Sequence, residues 1–157
     1  MAVLFRPGAL TRTGASDSSV SFVAAADHVV IVLVGEPTSF LDAYSMIKAA
    51  SLESNVRNFC IVVNMARNAE EARQHFDKFN TTATRFLDVN LTYSGWLPLS
   101  EKMRRAVVKR RPIGLDALDL PENLAFQKIS KSILGSPRNL HGGIRFFADE
   151  EEALAGT

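Results

Sequence analysis

His28-Val29-Val30-Ile31-Val32-Leu33-Val34 is an unbroken apolar run, mostly β-branched, and its reading decides the fold. Polar and apolar residues do not alternate along it. A strand with one wet face would alternate, so both faces of this one are expected to be covered, as at the centre of a parallel sheet. Gly35-Glu36-Pro37 stops the run. Pro37 suits the first turn of a helix, where its missing N–H costs nothing, with Thr38 or Ser39 as the cap and Ser39/Asp42 as a capping box. Leu41, Tyr44, Ile47 and Lys48 follow helical spacing, and this helix is predicted to run to about Ser51.

The unit repeats. Phe59-Cys60-Ile61-Val62-Val63 is a second buried-type strand, ended by Asn64. Asn68 with Glu71 makes a capping box for a helix whose apolar stripe is Ala72, His75, Phe76, Phe79, Ala83 and Phe86. A third strand over 89–95 turns Val89, Leu91 and Tyr93 inward. Ser100 caps a basic helix predicted over 100–111 and stopped by Pro112, and Pro121 opens a last helix reaching about Leu134. Upstream, a short helix is expected over 20–26. The β-α-β-α-β-α order with short connections reads as an α/β fold, a mostly parallel sheet flanked by helices.

Composition narrows the function classes. At 157 residues and 46% hydrophobic, the chain builds one domain with a real core. Its formal net charge of +1 argues against a general nucleic-acid binder. Cys60 is the single cysteine, so no intramolecular disulfide forms. No apolar run approaches the roughly 18 residues that span a bilayer, and a cytoplasmic location is expected.

Motifs for chemistry are sparse. GxxxxGK[ST] and GxGxxG are both absent, and the anion cradle they build needs successive backbone N–H groups with a cation. No catalytic residue and no metal site is assigned. His28, His75 and His141 are read as isolated surface or boundary histidines. Cys60, inside an apolar strand, is read as a buried inert thiol. Asn64 stands at the carboxyl end of a parallel strand, where open α/β sheets bind ligands. It reads either as an adenine-edge reader or as a strand-end turn residue. Lys102, Arg104, Arg105, Lys109, Arg110 and Arg111 read either as a phosphate-contacting face or as a solvated helix end favoured by the dipole. Phe146-Phe147 precedes an acidic run, Asp149-Glu150-Glu151-Glu152, and is expected to pack against the last helix.

Several stretches, taken in order, resemble the flagellar-number regulator family (FlhG/FleN) of MinD/ParA-type P-loop ATPases. Glu36-Pro37-Thr38-Ser39 with Asp42-Ala43-Tyr44 and Ile47-Lys48 is one, and Asn64-Met65-Ala66 another. Arg85-Phe86-Leu87-Asp88-Val89, then Tyr93-Ser94-Gly95-Trp96-Leu97-Pro98, is a third. Arg105-Ala106-Val107 through Arg111-Pro112, and Leu124-Ala125-Phe126 with Ile129, complete the match, which covers roughly 16–147.

The resemblance implies a dimeric ATPase of the SIMIBI type that sets flagellar number, represented here by its C-terminal half: one truncated domain over 1–157, with its core at about 16–134 and an irregular tail over 135–157. It implies ATP/ADP with Mg²⁺ as cofactor, and as partners an FlhF-type GTPase, a flagellar transcription activator and switch-ring proteins. Membrane contact would be peripheral, at the inner membrane. Asn64 and the backbone around Pro98 fall on the family's adenine side. The Walker A segment is missing, and Arg12 stands in place of a Walker B carboxylate ahead of Thr13-Gly14-Ala15-Ser16. Ser100 stands where an acid is common. The expectation is therefore a regulator unable to hydrolyse ATP alone. A non-enzymatic interaction module is the alternative, and a nucleic-acid binder through 100–111 a third reading. Without the family's N-terminal half, strand 28–34 is expected to self-associate through a bare edge unless Ala2-Val3-Leu4-Phe5 adds as a substitute strand.

Overall fold

A computed structural model describes residues 2–5, 23, 26–115 and 119–139. The elements are β1 (Ala2–Phe5), β2 (His28–Leu33), α1 (Pro37–Ser54), β3 (Asn58–Ala66), α2 (Ala69–Phe86), β4 (Asn90–Pro98), α3 (Glu101–Val108), a 3-10 turn (Ile113–Leu115) and α4 (Pro121–Leu134). The strands form one sheet in the order β1-β2-β3-β4. β2, β3 and β4 run parallel, as the apolar runs predict. The helix expected over 20–26 falls on described residues only at Val23 and Ala26, both buried. Arg12, the 13–16 stretch, His141, Phe146-Phe147 and the acidic run lie outside the described residues.

The unalternating β2 run is covered on both sides. Val29, Ile31 and Leu33, with Phe59, Ile61 and Val63, pack against Met46, Ile47 and Ala50 of α1 and Ala72, Phe76 and Phe79 of α2. Val30, Cys60 and Val62 face the other way, against Leu97 and against Ile129 and Ile133 of α4. Each fully buried Ile, Leu or Phe stabilises the fold by about 1.5–3 kcal/mol. The chain thus lays α1 and α2 on one face, then crosses after β4 to cover the other with α4.

The edge of β2 is not bare. β1 pairs with it antiparallel, Ala2 opposite Ile31 and Phe5 opposite His28. The self-association expected through 28–34 loses its motive, because the ladder groups of the first four β2 residues are already partnered within the chain.

Several local expectations shift. Ser39 does not cap α1. The N-cap is Glu36 with no side-chain bond, and the Ser39 hydroxyl instead accepts from the Val34 N–H at 3.0 Å. That amide lies just past the last paired residue of β2, Leu33. α1 continues to Ser54 and ends at Asn55, whose φ of 53° is the left-handed conformation asparagine tolerates. α3 stops at Val108, short of Arg111. Arg110 turns left-handed at φ 52°, Arg110 N–H bonds Val107 C=O at 3.0 Å, and Arg111 N–H bonds Ala106 C=O at 3.0 Å. This is a Schellman closure with arginine where glycine is usual. On α2 the stripe holds at Ala72, Phe76, Phe79 and Ala83, but Phe86 at the last turn is 67% exposed.

His28 is not at the surface. It is buried, and its Nδ1 lies 3.2 Å from Ser136 Oγ. That hydroxyl also sits 3.0 Å from Cys60 Sγ, and donates to Ile133 C=O at 2.6 Å. With its one proton spent on the carbonyl, Ser136 is left to accept from the imidazole and the thiol. Cys60 is buried, as read from its strand. Nearby, the Asn139 carboxamide imitates a strand: it accepts from Asn58 N–H at 2.9 Å and donates to Asn58 C=O at 2.8 Å.

Candidate functional site

The carboxyl ends of β2, β3 and β4 gather the residues that matter, at the position where open α/β sheets take ligands. Asn64 was expected to end β3, yet the strand continues to Ala66, which pairs with Pro98. Asn64 and Met65 bulge out between the paired residues Val63 and Ala66. Met65 takes φ 61°, and its N–H bonds Asn64 Oδ1 at 2.9 Å. Left-handed backbone costs a non-glycine residue roughly 1–2 kcal/mol, so the bulge is held by the pairing on either side of it. Its effect is to lift Met65 out, 51% exposed, beside the half-buried Asn64.

β4 completes this end of the sheet. Leu99 N–H bonds Ala66 C=O at 2.9 Å, and the Leu99 side chain is exposed. The two residues singled out from sequence, Asn64 and Pro98, therefore lie on neighbouring strands at the same end. Asn64 Oδ1 keeps one lone pair beyond its bond to Met65, and its Nδ2 amide can donate, so the carboxamide can still pair with a base edge.

Past Pro98, Ser100 caps α3 as expected: its Oγ accepts from Met103 N–H at 3.3 Å. The same hydroxyl donates a short bond to Glu122 Oε1. Glu122, in the first turn of α4, is 6% exposed. The Ser100 hydroxyl, then the residue's own backbone N–H, hold its carboxyl below the ordinary range, with Lys102 adding charge attraction while burial opposes. Nothing in the sequence marks this glutamate, since Pro-Glu is an ordinary helix opening; only its burial sets it apart.

On the β3–α2 connection, Asn68 Oδ1 accepts from Glu71 N–H at 2.8 Å, the forward half of the expected capping box. The return half lands one residue early: Glu71 Oε2 accepts from Arg67 N–H at 2.6 Å. The Arg67 guanidinium adds bonds of 3.0 and 2.9 Å to Oε1. These bonds hold the Glu71 carboxyl below its ordinary range.

A carboxamide, a strand-end backbone and two exposed apolar side chains, Met65 and Leu99, stand together at the ends of β3 and β4. At the end of β2 the described residues are Val34, Gly35 and Glu36, and the exposed Glu36 adds a negative charge there. Among the described residues no group of three His, Cys, Asp or Glu side chains is placed to hold a metal ion, and no helix is long and apolar enough to cross a membrane. The basic cluster is partly committed: Arg104 and Arg105 pair with Glu101 at 2.9 and 3.4 Å.

No family model matches the sequence. The chain is 37% identical over 141 residues to the antiactivator FleN of Pseudomonas aeruginosa, covering 88% of this chain and 50% of FleN. It is 28% identical over 102 residues to the flagellum site-determining protein YlxH of Helicobacter pylori, covering 64% of this chain and 34% of YlxH. Among solved structures, the MinD cell division protein of Aquifex aeolicus matches with a TM-score of 0.57 at 20% identity, over 77% of this chain and 50% of that one. At that identity the likeness speaks for the fold alone. The chain spans half the length of FleN, and a third of YlxH.

Proposed function

The chain belongs, over the part of the family's length it spans, to the FlhG/FleN family of MinD-like proteins, and from that premise we propose that it acts in the control of flagellar number. The observation that carries the reading is the 37% identity to the antiactivator FleN along 88% of this chain. The partners we propose are those of the flagellar system, an FlhF-type GTPase and a flagellar transcription activator, met through protein surfaces. We place the nucleotide contribution of these residues on the base side, with Asn64 and the backbone at Pro98 meeting adenine. ATP with Mg²⁺ would supply the family's phosphoryl chemistry; this sequence brings no lysine-bearing phosphate loop to it. Base contacts without phosphate anchors leave only a few hydrogen bonds to offset the cost of ordering a ligand.

Two measurements test this. Expressed in a Pseudomonas aeruginosa strain lacking FleN, the chain should change the number of flagella per cell; a distribution identical to the empty-vector control overturns the regulatory reading. Calorimetry of the 157-residue chain with ADP should show no saturation at micromolar ligand and weak binding at millimolar. Binding that survives Asn64→Ala unchanged places the base elsewhere.

A further inference from the structure

The Glu122 carboxylate is buried, yet only one of its oxygens is used. Oε1 accepts from Ser100 Oγ, while Oε2 is shut away from solvent with no hydrogen-bond partner among the described residues. A buried carboxylate with an orphan oxygen is costly, so some specific gain has to hold it in place. Its bond to another residue lands on the one that begins α3 and ends the loop after Pro98. Ser100 spends its proton on Glu122, which turns its lone pairs toward Met103 N–H. A serine freed from Glu122 could rotate its proton toward that amide and lose the cap.

We infer that Glu122 is a positioning residue: through the Ser100 hydroxyl it fixes the 98–103 turn, and with it the backbone that the base-side reading above assigns to adenine. The inference rests on that reading for its ligand but not for its geometry. The link spans two elements 22 residues apart in sequence, and it joins α4, packed through Ile129 and Ile133 on one face of the sheet, to the strand end where Asn64 lies. A shift of α4 on the sheet would therefore move the proposed base-binding loop directly. The helix dipole at the α4 N-terminus and the nearby Lys102 favour the charged form, the stronger acceptor for the Ser100 hydroxyl.

Amide hydrogen exchange on the full chain tests this without any ligand. Glu122→Ala should speed exchange at Met103 by about tenfold or more and shift the signals of residues 98–103, with α1 and α2 unchanged. Glu122→Gln keeps a carbonyl oxygen for the Ser100 hydroxyl and should restore most of the protection. Ser100→Ala should match Glu122→Ala at Met103, and combining the two should add nothing there. Exchange that rises evenly over the whole sheet, or a Met103 amide as protected in Glu122→Ala as in the parent, overturns the proposal. If Glu122→Ala does not fold, the other pair decides: Ser100→Ala must loosen 98–103 and Glu122→Gln must not. Millimolar ADP then separates the two readings. Shifts at Asn64 and Leu99 that weaken in Glu122→Ala support the positioning role, and shifts that persist unchanged refute it. No shifts in the parent would overturn the base-side reading, with the Glu122–Ser100 link then judged on exchange alone.

Discussion

The imidazole of His75 occupies the space that a side chain on Gly35 would fill: a methyl group built there collides with Nε2 and Cε1 of the ring. His75 comes from α2 and Gly35 from the turn between β2 and α1. The ring is held edge-on to Phe40 of α1, with centroids 6.2 Å apart, and Phe40 in turn lies 5.7 Å from Phe79. The glycine is needed for this close approach of helix to turn, not for an unusual backbone angle. Gly35→Ala should therefore destabilise the chain by about 1–3 kcal/mol, the usual range for overpacking. His75→Ala should cost less, and the double variant should fall well short of the sum. Chemical denaturation of the four proteins checks this, and strict additivity would mean the ring moves aside freely.

Gly95 carries both constraints at once. Its φ is +128°, and a Cβ would come within 2.8 Å of Ile129 Cγ1. It lies where the β3–β4 register slips, Ile61 facing Tyr93 but Val62 facing Gly95, so Ser94 is the extra residue. Gly95→Ala should cost about 2–4 kcal/mol, adding backbone strain to overpacking. Ile129→Val should recover part of the steric share only. A thermal or denaturant midpoint unchanged by Gly95→Ala would contradict this packing of α4 on β4.

The Glu71 carboxyl titrates below its ordinary value of 4.5, chiefly because of the Arg67 side-chain bonds, with the Arg67 backbone N–H next. A depressed folded value means that the contribution to stability is present above pH 4.5 and lost as pH falls through the folded value. Arg67 is exposed and Glu71 only half-buried, so the effect is modest and weakens with salt. Carbon-13 detected titration should place the Glu71 midpoint below 4.5, and Arg67→Ala should move it upward. A midpoint that ignores the arginine would sink the assignment.

β1 shields the apolar edge of β2. Deleting residues 1–6 should expose the ladder groups of 28–31 and promote association through this edge. Light scattering at high concentration reads this directly. Val32→Lys in the shortened chain should oppose association, since a lysine on an open edge disfavours pairing. Equal mass for the long and short chains across the concentration range would mean β1 is not the protecting strand.

The layered α/β plan is legible in the residue pattern alone. A strand buried on both faces must be apolar at every position, and helices must repeat their apolar residues near every 3.6, so β2, β3, α2 and α4 could be read locally. Asn68 and Ser100 were legible as caps because capping depends on the next three residues and little else. Asn64 was legible as a strand-end position and Pro98 only through the family resemblance, and it took the sheet register, Ala66 against Pro98, to bring them to one place. The tertiary structure alone decided the burial of His28 and Glu122, the strand that closes the β2 edge, the ring over Gly35 and the bulge that lifts Met65. Each depends on groups that meet across 22 to 108 residues, or on which of two neighbouring surfaces a side chain faces. Periodicity carries no information about such pairings, because they are set by how whole elements pack rather than by what any one of them contains.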